Sequence, residues 1–546
     1  MRRFSLFSLP ILALVLPALA TAPLPSVPQE GAQEDAKEAA DPLFGAKLVI
    51  NGQAIPPQSI KRQVCLSALA QNHIEAEKLK IYTSEELELQ AKAGKSVEGF
   101  EVSDEDINEI FEKVEEQLKE EYPEGDVTLE QVLKKDDGGK RLVRTTEIFK
   151  RVFLPENPSD YSDTTITALK AQENGDQLID QMKIAYDLRV ANDLEGVSPG
   201  ERVFQTMLLQ QIVKYLGDTA DIVDDEALLP RNVLLRVNGK DILIDTIWNQ
   251  VKSRVTSMEV RAAKQWLTNM TLLEQALSEA GVWMTEEEGK QAYFDHAEPY
   301  KGSIFSIERL AVTVKHFPSV GAYKKYYRAY ESFHRLMKEK MTDEVLEEYG
   351  KRRTRHLIGQ VTVDADVILL SAYDHKANQW KENGWAEAEA KTKEVLRLLV
   401  VDGKPWDQVL QKHSEFYDLP IPKSQMGQEP PHWITDKGRF RNKQRNILMK
   451  NLDESDYWLF LNGDSITDYI FYEQEVDQIG EAMRGPKGWY IPLLHRRSDP
   501  PARLSTSEEN MRTLIEQDYL NYHLRMYVAD LVSKNDVRGI DEPRAQ

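Results

Sequence analysis

A serine that follows a Gly-Asp pair, Ser465 after Gly463 and Asp464, is the residue whose setting most suggests a catalytic nucleophile. An apolar run at 459–461 precedes it, so the serine would stand on a turn after a short buried segment. Such a serine needs a base, most often a histidine, that an acid orients. No Asp-x-x-His pair follows Ser465 to supply that base. We therefore interpret this segment as a structural turn.

Metal, nucleotide and thiol chemistry have equally little support. The ten histidines are scattered, and no His-Glu-x-x-His motif, cysteine pair or acidic calcium loop occurs. No Gly-x-x-x-x-Gly-Lys or Gly-x-Gly-x-x-Gly loop is present to hold phosphate. We interpret His413 and His495 as surface or packing residues and the single cysteine, Cys65, as a buried packing residue. The sequence therefore predicts no metal and no cofactor.

The N-terminus has the pattern of a secretory signal. Arg2 and Arg3 precede an apolar run at 4–18, and small residues at 20–22 offer a cleavage site. Residues 23–44 are rich in Pro, Ala, Gln and acid, which predicts a flexible linker. No later apolar run is long enough to span a bilayer. We expect a soluble periplasmic or extracellular protein without an integral membrane segment.

The formal net charge of −21 over 546 residues opposes phosphate backbones as partners, so no nucleic acid is expected. Two basic clusters, at 351–356 and 437–445, interrupt this acidic background. We interpret both as solvated faces, with contact to an acidic partner as the alternative.

A short sequence pattern occurs twice in the rest of the chain. Residues 48–55 and 235–242 each read as an apolar strand that turns at Asn-Gly, and helices follow both. A capped helix start lies downstream of each copy, at Ser103 and at Thr285. The common order indicates a duplication, and two chance turns are the alternative.

Helical spacing of apolar residues continues through both copies. The second copy ends in a helix whose aromatic and methionine side chains share one face. We call this face the tyrosine stripe and define it by Tyr323, Tyr326, Tyr327, Tyr330 and Met337. Such a face suits either core packing or an adaptable peptide-binding surface, and these five residues are the predicted peptide-binding site.

A small mixed α/β region follows. Residues 361–370 and 488–494 read as strands, and helices are predicted near 386–400 and 405–414. The last predicted helix begins at residue 507. Its apolar side chains form one stripe, which must pack against a partner. That partner would be an earlier module or a second copy in a dimer.

Together these pieces resemble the periplasmic foldases of the SurA and parvulin (PpiC-like) type. The resemblance rests on Val237-Asn238-Gly239, on 284–288, on the strand 361–369, on the helices within 386–414 and on 485–491. It implies helical chaperone modules and a peptidyl-prolyl isomerase domain with a four-stranded antiparallel sheet.

The family's isomerase domain carries a histidine in its first strand and another in its last. This chain has Val367 and Tyr490 at those positions, and the family's Gly-rich segment is replaced by residues 419–422. Valine and tyrosine cannot reproduce the hydrogen-bonded histidine pair of active members. No catalytic residue is predicted. If the chain were an enzyme, the resemblance implies a peptidyl-prolyl isomerase.

The predicted fold is multidomain and mainly α, with one small α+β domain. Its parts are a signal peptide at 1–22, a linker at 23–44, helical modules at 45–230 and 231–357, a parvulin-like domain at 358–500 and a docking helix at 501–546. The predicted function is an exported, ATP-independent chaperone for unfolded or nascent exported polypeptides. An active prolyl isomerase and a non-enzymatic scaffold of the cell envelope are the alternatives.

Overall fold

The computed structural model describes residues 43, 47–121, 129, 137–171, 175–192, 199–224, 226–300, 306–357, 361–374, 379–381, 383–418, 437–453, 455–498 and 509–540. The predicted signal peptide, nearly all of the predicted linker and the segment 419–422 lie outside these residues. Of these residues, 61–255 belong to one compact unit, and 43–60 with 256–540 belong to a second. The predicted domain boundaries stay predictions.

Both Asn-Gly segments, 48–55 and 235–242, form hairpins of the predicted kind. In the second unit β1 (Val49–Ile50) pairs with β2 (Gln53–Ala54), and in the first unit β4 (Val233–Val237) pairs with β5 (Lys240–Leu243). Asn51 and Asn238 have φ angles of 51° and 49°, and the following glycines both have 77°. Two consecutive positive φ angles are what a two-residue hairpin turn requires, and Asn-Gly tolerates them.

A third strand joins each hairpin on the side of its first strand. In the first unit this strand is β3 (Ile222–Val223), which gives the order β3-β4-β5. In the second unit it is β12 (Val537–Arg538), which gives the order β12-β1-β2. The sequence did not indicate either of these short strands.

Helices make up most of the described residues before Val255, as the apolar spacing predicts. In chain order they are α1 (Pro57–Cys65), α2 (Gln71–Lys92), α3 (Asp104–Glu121), α4 (Asp137–Phe153), α5 (Asp163–Lys170), α6 (Gly175–Ala191), α7 (Pro199–Thr219) and α8 (Ile244–Val251). The predicted cap of α3 forms, because Asp106 N–H donates to Ser103 Oγ and Ser103 N–H donates to Asp106 Oδ2. The predicted apolar face of α3 is buried, with Ile107 and Phe111 at 0% and 2% exposure.

The second unit contains a helical core and a sheet. Its helices are α9 (Ser257–Glu279), α10 (Glu286–Ala297), α11 (Ile307–Thr313), α12 (Val320–Met337), α13 (Asp343–Leu357), α14 (Gly384–Leu396), α15 (Trp406–His413), α16 (Arg445–Leu452), α17 (Asp456–Asn462), α18 (Ile466–Asp468) and α19 (Glu509–Lys534). α18 continues as a π-helical turn over Tyr469–Glu473. Thr285 forms the predicted capping box with Glu288 at the start of α10. α19 packs its buried residues Ile515, Tyr519 and Leu524 into the helical core.

The sheet is four-stranded and antiparallel, in the order β10-β11-β6-β9. Its strands are β6 (Thr362–Ser371), β9 (Arg439–Gln444), β10 (Met483–Arg484) and β11 (Gly488–Arg497), and a separate pair joins β7 (Tyr373–Asp374) to β8 (Gln379–Trp380). Ile368, Leu370 and Ile491 face α14 and α15 on one side. The other side packs against α16 and α18. A mainly α fold with small antiparallel sheets is therefore confirmed.

No helix within the described residues is long and apolar enough to cross a membrane.

Candidate functional site

The sheet face that carries Val367 and Tyr490 is closed. These residues are 0% and 4% exposed, and the register pairs Tyr490 with Leu369 and Val367 with Pro492. Val367, Leu369 and Tyr490 contribute to one apolar cluster. The two positions where the resemblance implies histidines are therefore buried among apolar groups.

Two phenylalanines complete this packing. Phe416 lies in the short turn Glu415–Asp418, and its ring centroid is 6.1 Å from that of Phe440 on β9 and 6.2 Å from that of Tyr490. A Cβ atom at Gly438 would lie 2.5 Å from the carbonyl oxygen of Val367 and 2.7 Å from the Phe416 ring. We call the surface formed by Val367, Leu369, Phe416, Phe440 and Tyr490 the motif face. Within the described residues these five side chains pack together in one buried apolar cluster.

Ser465 is the N-cap residue of α18, and its hydroxyl group both donates and accepts a hydrogen bond. Its Oγ donates to Asp453 Oδ2 at 2.9 Å and accepts from the N–H of Asp468 at 3.0 Å. Asp453 also accepts from the backbone N–H groups of Ile466 and Thr467. Burial raises the pKa of Asp453, although the hydrogen bond to Thr467 opposes the shift. Among the described residues, the hydrogen-bond partners of Ser465 include no histidine, as expected for a structural turn.

The other residues considered for chemistry are also structural. Cys65 is fully buried, and burial raises the pKa of its thiol to about 12. Its Sγ lies 3.8 Å from the carbonyl oxygen of Ile244. His495 Nε2 lies 3.0 Å from Asp366 Oδ2, beside Arg441. Over the part of the chain that the structure describes, no cluster of three or more metal-ligating side chains occurs.

The basic cluster at 437–445 is held by carboxylates of the same unit. Arg439 pairs with Asp407 at 2.7 Å, and Arg441 pairs with Asp366 at 2.6 Å. Acidic side chains thus already neutralise these two cations, which the sequence placed on a solvated face.

The cluster at 351–356 is mixed. Arg352 pairs with Glu348 and has a side chain that is 76% exposed, as predicted for a solvated face. Arg353 is different, because its side chain is only 9% exposed and approaches Asp468. Consecutive residues of an α-helix point roughly 100° apart, so Arg352 can face solvent while Arg353 faces the protein.

The tyrosine stripe lies in the packed core of the second unit. Tyr323 and Met337 are 3% and 8% exposed, and Tyr326, Tyr327 and Tyr330 are half-buried against the same core cluster. Burial raises the pKa of all four hydroxyls, so they are neutral at ordinary pH.

Internal partners hold these rings. His296 Nε2 lies 3.0 Å from the hydroxyl oxygen of Tyr323, and the His296 ring stacks on Tyr327 at 4.3 Å. The ring of Tyr326 meets Phe460 edge to face at 5.0 Å. Peptide binding at the tyrosine stripe stays a prediction, and it would compete with these contacts.

An open groove lies between α2 and α4 in the first unit. It encloses about 1060 Å³ and is lined by three turns of each helix. The lining positions repeat with the same spacing on both helices, namely Lys80, Thr83, Ser84, Leu87, Glu88 and Ala91 on α2, and Asp137, Lys140, Arg141, Arg144, Thr145 and Ile148 on α4. Residues at this spacing form one continuous helix face. We call this feature the α2–α4 groove.

The groove carries apolar and charged side chains along its length, and Asp104 of α3, which pairs with Arg144, also lines it. Leu87, Ala91 and Ile148 lie toward the C-terminal ends of the two helices. Glu77 Oε1 pairs with Lys80 at 2.7 Å and with Arg141 at 3.1 Å. The groove can therefore accept an apolar segment and also offer polar contacts to a backbone or side chain.

A pattern in the sequence pointed to amphipathic helices but not to this groove. The lining mixes aliphatic, hydroxyl and charged side chains, which reads as ordinary helix surface. The lining faces of α2 and α4 form a concave groove because the two helices stand apart.

No protein-family model and no curated protein matches the chain. Among solved structures, the chain is similar to the peptidylprolyl isomerase PrsA of Bacillus cereus, with 12% identity, 56% of this chain and 93% of that chain covered, and a TM-score of 0.19. The foldase protein PrsA of Streptococcus pneumoniae gives 13%, 54%, 89% and 0.19, and PrsA of Bacillus subtilis gives 12%, 57%, 94% and 0.16. TM-scores this low do not establish a shared fold.

Proposed function

We propose that the protein is an exported, ATP-independent chaperone that binds non-native polypeptides and does not catalyse prolyl isomerisation. The α2–α4 groove is the observation that carries this proposal. The signal pattern at residues 1–22 supports export, and the lack of a nucleotide motif supports action without ATP.

The dimensions of the groove suit a polypeptide. Eleven residues separate the first and last lining positions on each helix, which corresponds to roughly 16 Å at 1.5 Å per residue. An extended chain covers that length with about five residues, and a helix covers it with three turns. Apolar side chains of a client would lie against Leu87 and Ile148, and covering them would slow aggregation.

The closed motif face supports the non-catalytic part of the proposal. An isomerase must hold the X-Pro bond in an open site and lower a barrier of roughly 20 kcal/mol. Val367 and Tyr490 are buried and offer no hydrogen-bonded pair to a twisting peptide bond.

Suppression of client aggregation, followed by light scattering, tests the chaperone activity. The wild-type protein is expected to suppress scattering at equimolar ratio. Leu87→Glu, which replaces an apolar lining residue of the α2–α4 groove with a charged one, is expected to lower client affinity by about tenfold. Fluorescence anisotropy of a labelled apolar peptide measures that affinity directly.

Leu89→Glu is the matched control. Leu89 lies two residues away on the same helix, is 55% exposed and does not line the groove. It should bind peptide as the wild type does. Equal loss in both variants would contradict the groove as the binding site, and no suppression by the wild type would contradict chaperone activity itself.

A further inference from the structure

The edge strand of the first unit's sheet borders a smaller cavity. β5 (Lys240–Leu243) lies at the outside of the order β3-β4-β5, so only one of its two sides is paired. The cavity encloses about 240 Å³ and is lined by all four residues of β5, by Thr246 and by Glu77, Lys80, Ile81 and Ser84 of α2. Lys80 and Ser84 also line the α2–α4 groove, so the cavity and the groove adjoin along α2. We call this cavity the β5 edge pocket.

The backbone of β5 has two residues that point away from its partner strand. In an antiparallel pair, residues alternate between those bonded to the partner and those that point outward. The two-residue turn makes Lys240 a bonded position, and Ile244, four residues further on, donates its N–H to the carbonyl oxygen of Asn232 at 3.0 Å. The N–H and C=O groups of Asp241 and Leu243 therefore point outward. Within the described residues, no backbone group outside the sheet bonds to either residue.

α2 packs on a face of this sheet and leaves the edge of β5 open. Lys240 Nζ lies 3.5 Å from Ser84 Oγ and 3.6 Å from Glu88 Oε1, both on α2. Ile242 points to the same face as Lys240, because side chains alternate along a strand, and it is 3% exposed. Leu243 points to the opposite face and is 38% exposed. The outward backbone groups of β5 therefore border the β5 edge pocket.

The charged side chains of the β5 edge pocket are already paired. Each of the four has a partner of opposite charge, namely Lys80 with Glu77 at 2.7 Å, Asp241 with Arg236 at 2.6 Å and Lys240 with Glu88 at 3.6 Å. The pocket therefore does not select an occupant by charge. The outward backbone groups of Asp241 and Leu243 are what it offers to a ligand.

We propose that the β5 edge pocket binds the backbone of a client polypeptide as an added β-strand. This inference rests on the proposed chaperone function and specifies that the client is bound in extended form. Asp241 and Leu243 each donate and accept one hydrogen bond, about four in total. The same client continues into the α2–α4 groove, and the two sites together accommodate about eight extended residues.

Pairing through the backbone suits a protein that binds many clients. Every residue except proline carries the same N–H and C=O groups, so a strand edge adds affinity without selecting a sequence. A helical segment uses these groups internally and cannot pair with β5. Extended, non-native segments are therefore bound in preference to helical ones.

Removal of one outward N–H group tests the strand pairing. Leu243→Pro deletes that donor, and the φ of −85° and ψ of 144° at Leu243 lie close to what proline requires. Leu243→Ala is the matched control, because it shortens the side chain and keeps the N–H. Fluorescence anisotropy of a labelled peptide of about eight residues, with alternating leucine and serine, measures both affinities on the full chain. Leu243→Pro should bind about fivefold more weakly than Leu243→Ala.

Amide hydrogen exchange of the wild type gives a readout that does not depend on how Leu243→Pro folds. Bound peptide should slow exchange at Asp241 and Leu243 by about tenfold. Unchanged exchange there with the peptide bound, or equal affinities of the two Leu243 variants, would overturn the strand pairing. If Leu87→Glu still lost affinity in that case, the proposed chaperone function would stand without it. No binding of the peptide by the wild type would overturn both proposals.

Discussion

The motif face and the α2–α4 groove are both bounded by helices, but only one of them is open. On the motif face, Phe416 and Phe440 fill the space in front of Val367 and Tyr490. In the groove, Leu87 and Ile148 stay half-buried, and charged side chains hold the rim. The comparison shows that the two positions where the sequence resemblance implies histidines lie in the core, while helix surfaces without a recognisable motif form the open groove.

The largest expected difference between the two regions is in stability. Phe440 is fully buried on the motif face, so Phe440→Ala should lower the free energy of unfolding by about 3–5 kcal/mol. Ile148→Ala in the groove removes a half-buried side chain and should cost about 1 kcal/mol. Urea denaturation of the two variants measures both values. Similar losses would show that the groove is as tightly packed as the motif face.

Client binding should depend on the side chains that line the α2–α4 groove. Ile148→Ala is expected to weaken peptide binding about fivefold, because it removes apolar area from the groove. Ile184→Ala truncates an aliphatic side chain on α6 that is 59% exposed and does not line the groove, so it serves as the control. Fluorescence anisotropy should place Ile184→Ala with the wild type. A larger loss for Ile184→Ala would move the binding site to α6.

Acid should loosen the core that holds the tyrosine stripe. Burial, followed by the charge of Lys315, lowers the pKa of His296 below its ordinary value, while Glu331 opposes this shift. The unfolded chain therefore takes up the proton first, and stability falls as the pH drops through about 6.5 and below. Stability measured between pH 7.5 and 5 should fall less in His296→Gln than in the wild type. The same pH slope in both proteins would contradict this assignment.

The smallest expected effect is on prolyl isomerisation. A proline-peptide assay with the wild-type protein should give the uncatalysed rate, since the motif face is closed. Leu87→Glu should give the same rate, because the groove takes no part in that reaction. Catalysis above background would contradict the reading of the motif face as core.

Local patterns were sufficient wherever a few neighbouring residues determine the structure. The Asn-Gly pairs specified both hairpins, and Ser103 and Thr285 marked helix starts that the structure caps as expected. The apolar run at 361–370 became the strand β6, and the predicted helices after it correspond to α14 and α15. In each case the turn geometry, the cap or the periodicity acts within about ten residues.

Features set by distant contacts were not predictable. β3 and β12 have two residues each, and their pairing depends on hairpins elsewhere in the chain. The sequence predicted that Arg353 and Arg445 lie in solvated clusters. In the structure both pair with the buried Asp468. The tyrosine stripe fits either a core or a groove in the sequence, because helical spacing identifies an apolar face and does not identify what covers it.

Strand β12 gives the second unit an unusual order of assembly. Val49 and Ile50 pair with Arg538 and Val537, and the side chain of Asn51 donates to that of Asn535, 484 residues away in sequence. A chain that is made from its N-terminus therefore holds β1 with one unpaired edge until residues 537 and 538 have been made. In the first unit the third strand is β3, which lies only a few residues upstream of β4. The sheet of the first unit can therefore form before that of the second unit. For that interval the nascent protein itself exposes the kind of unpaired strand edge that promotes aggregation.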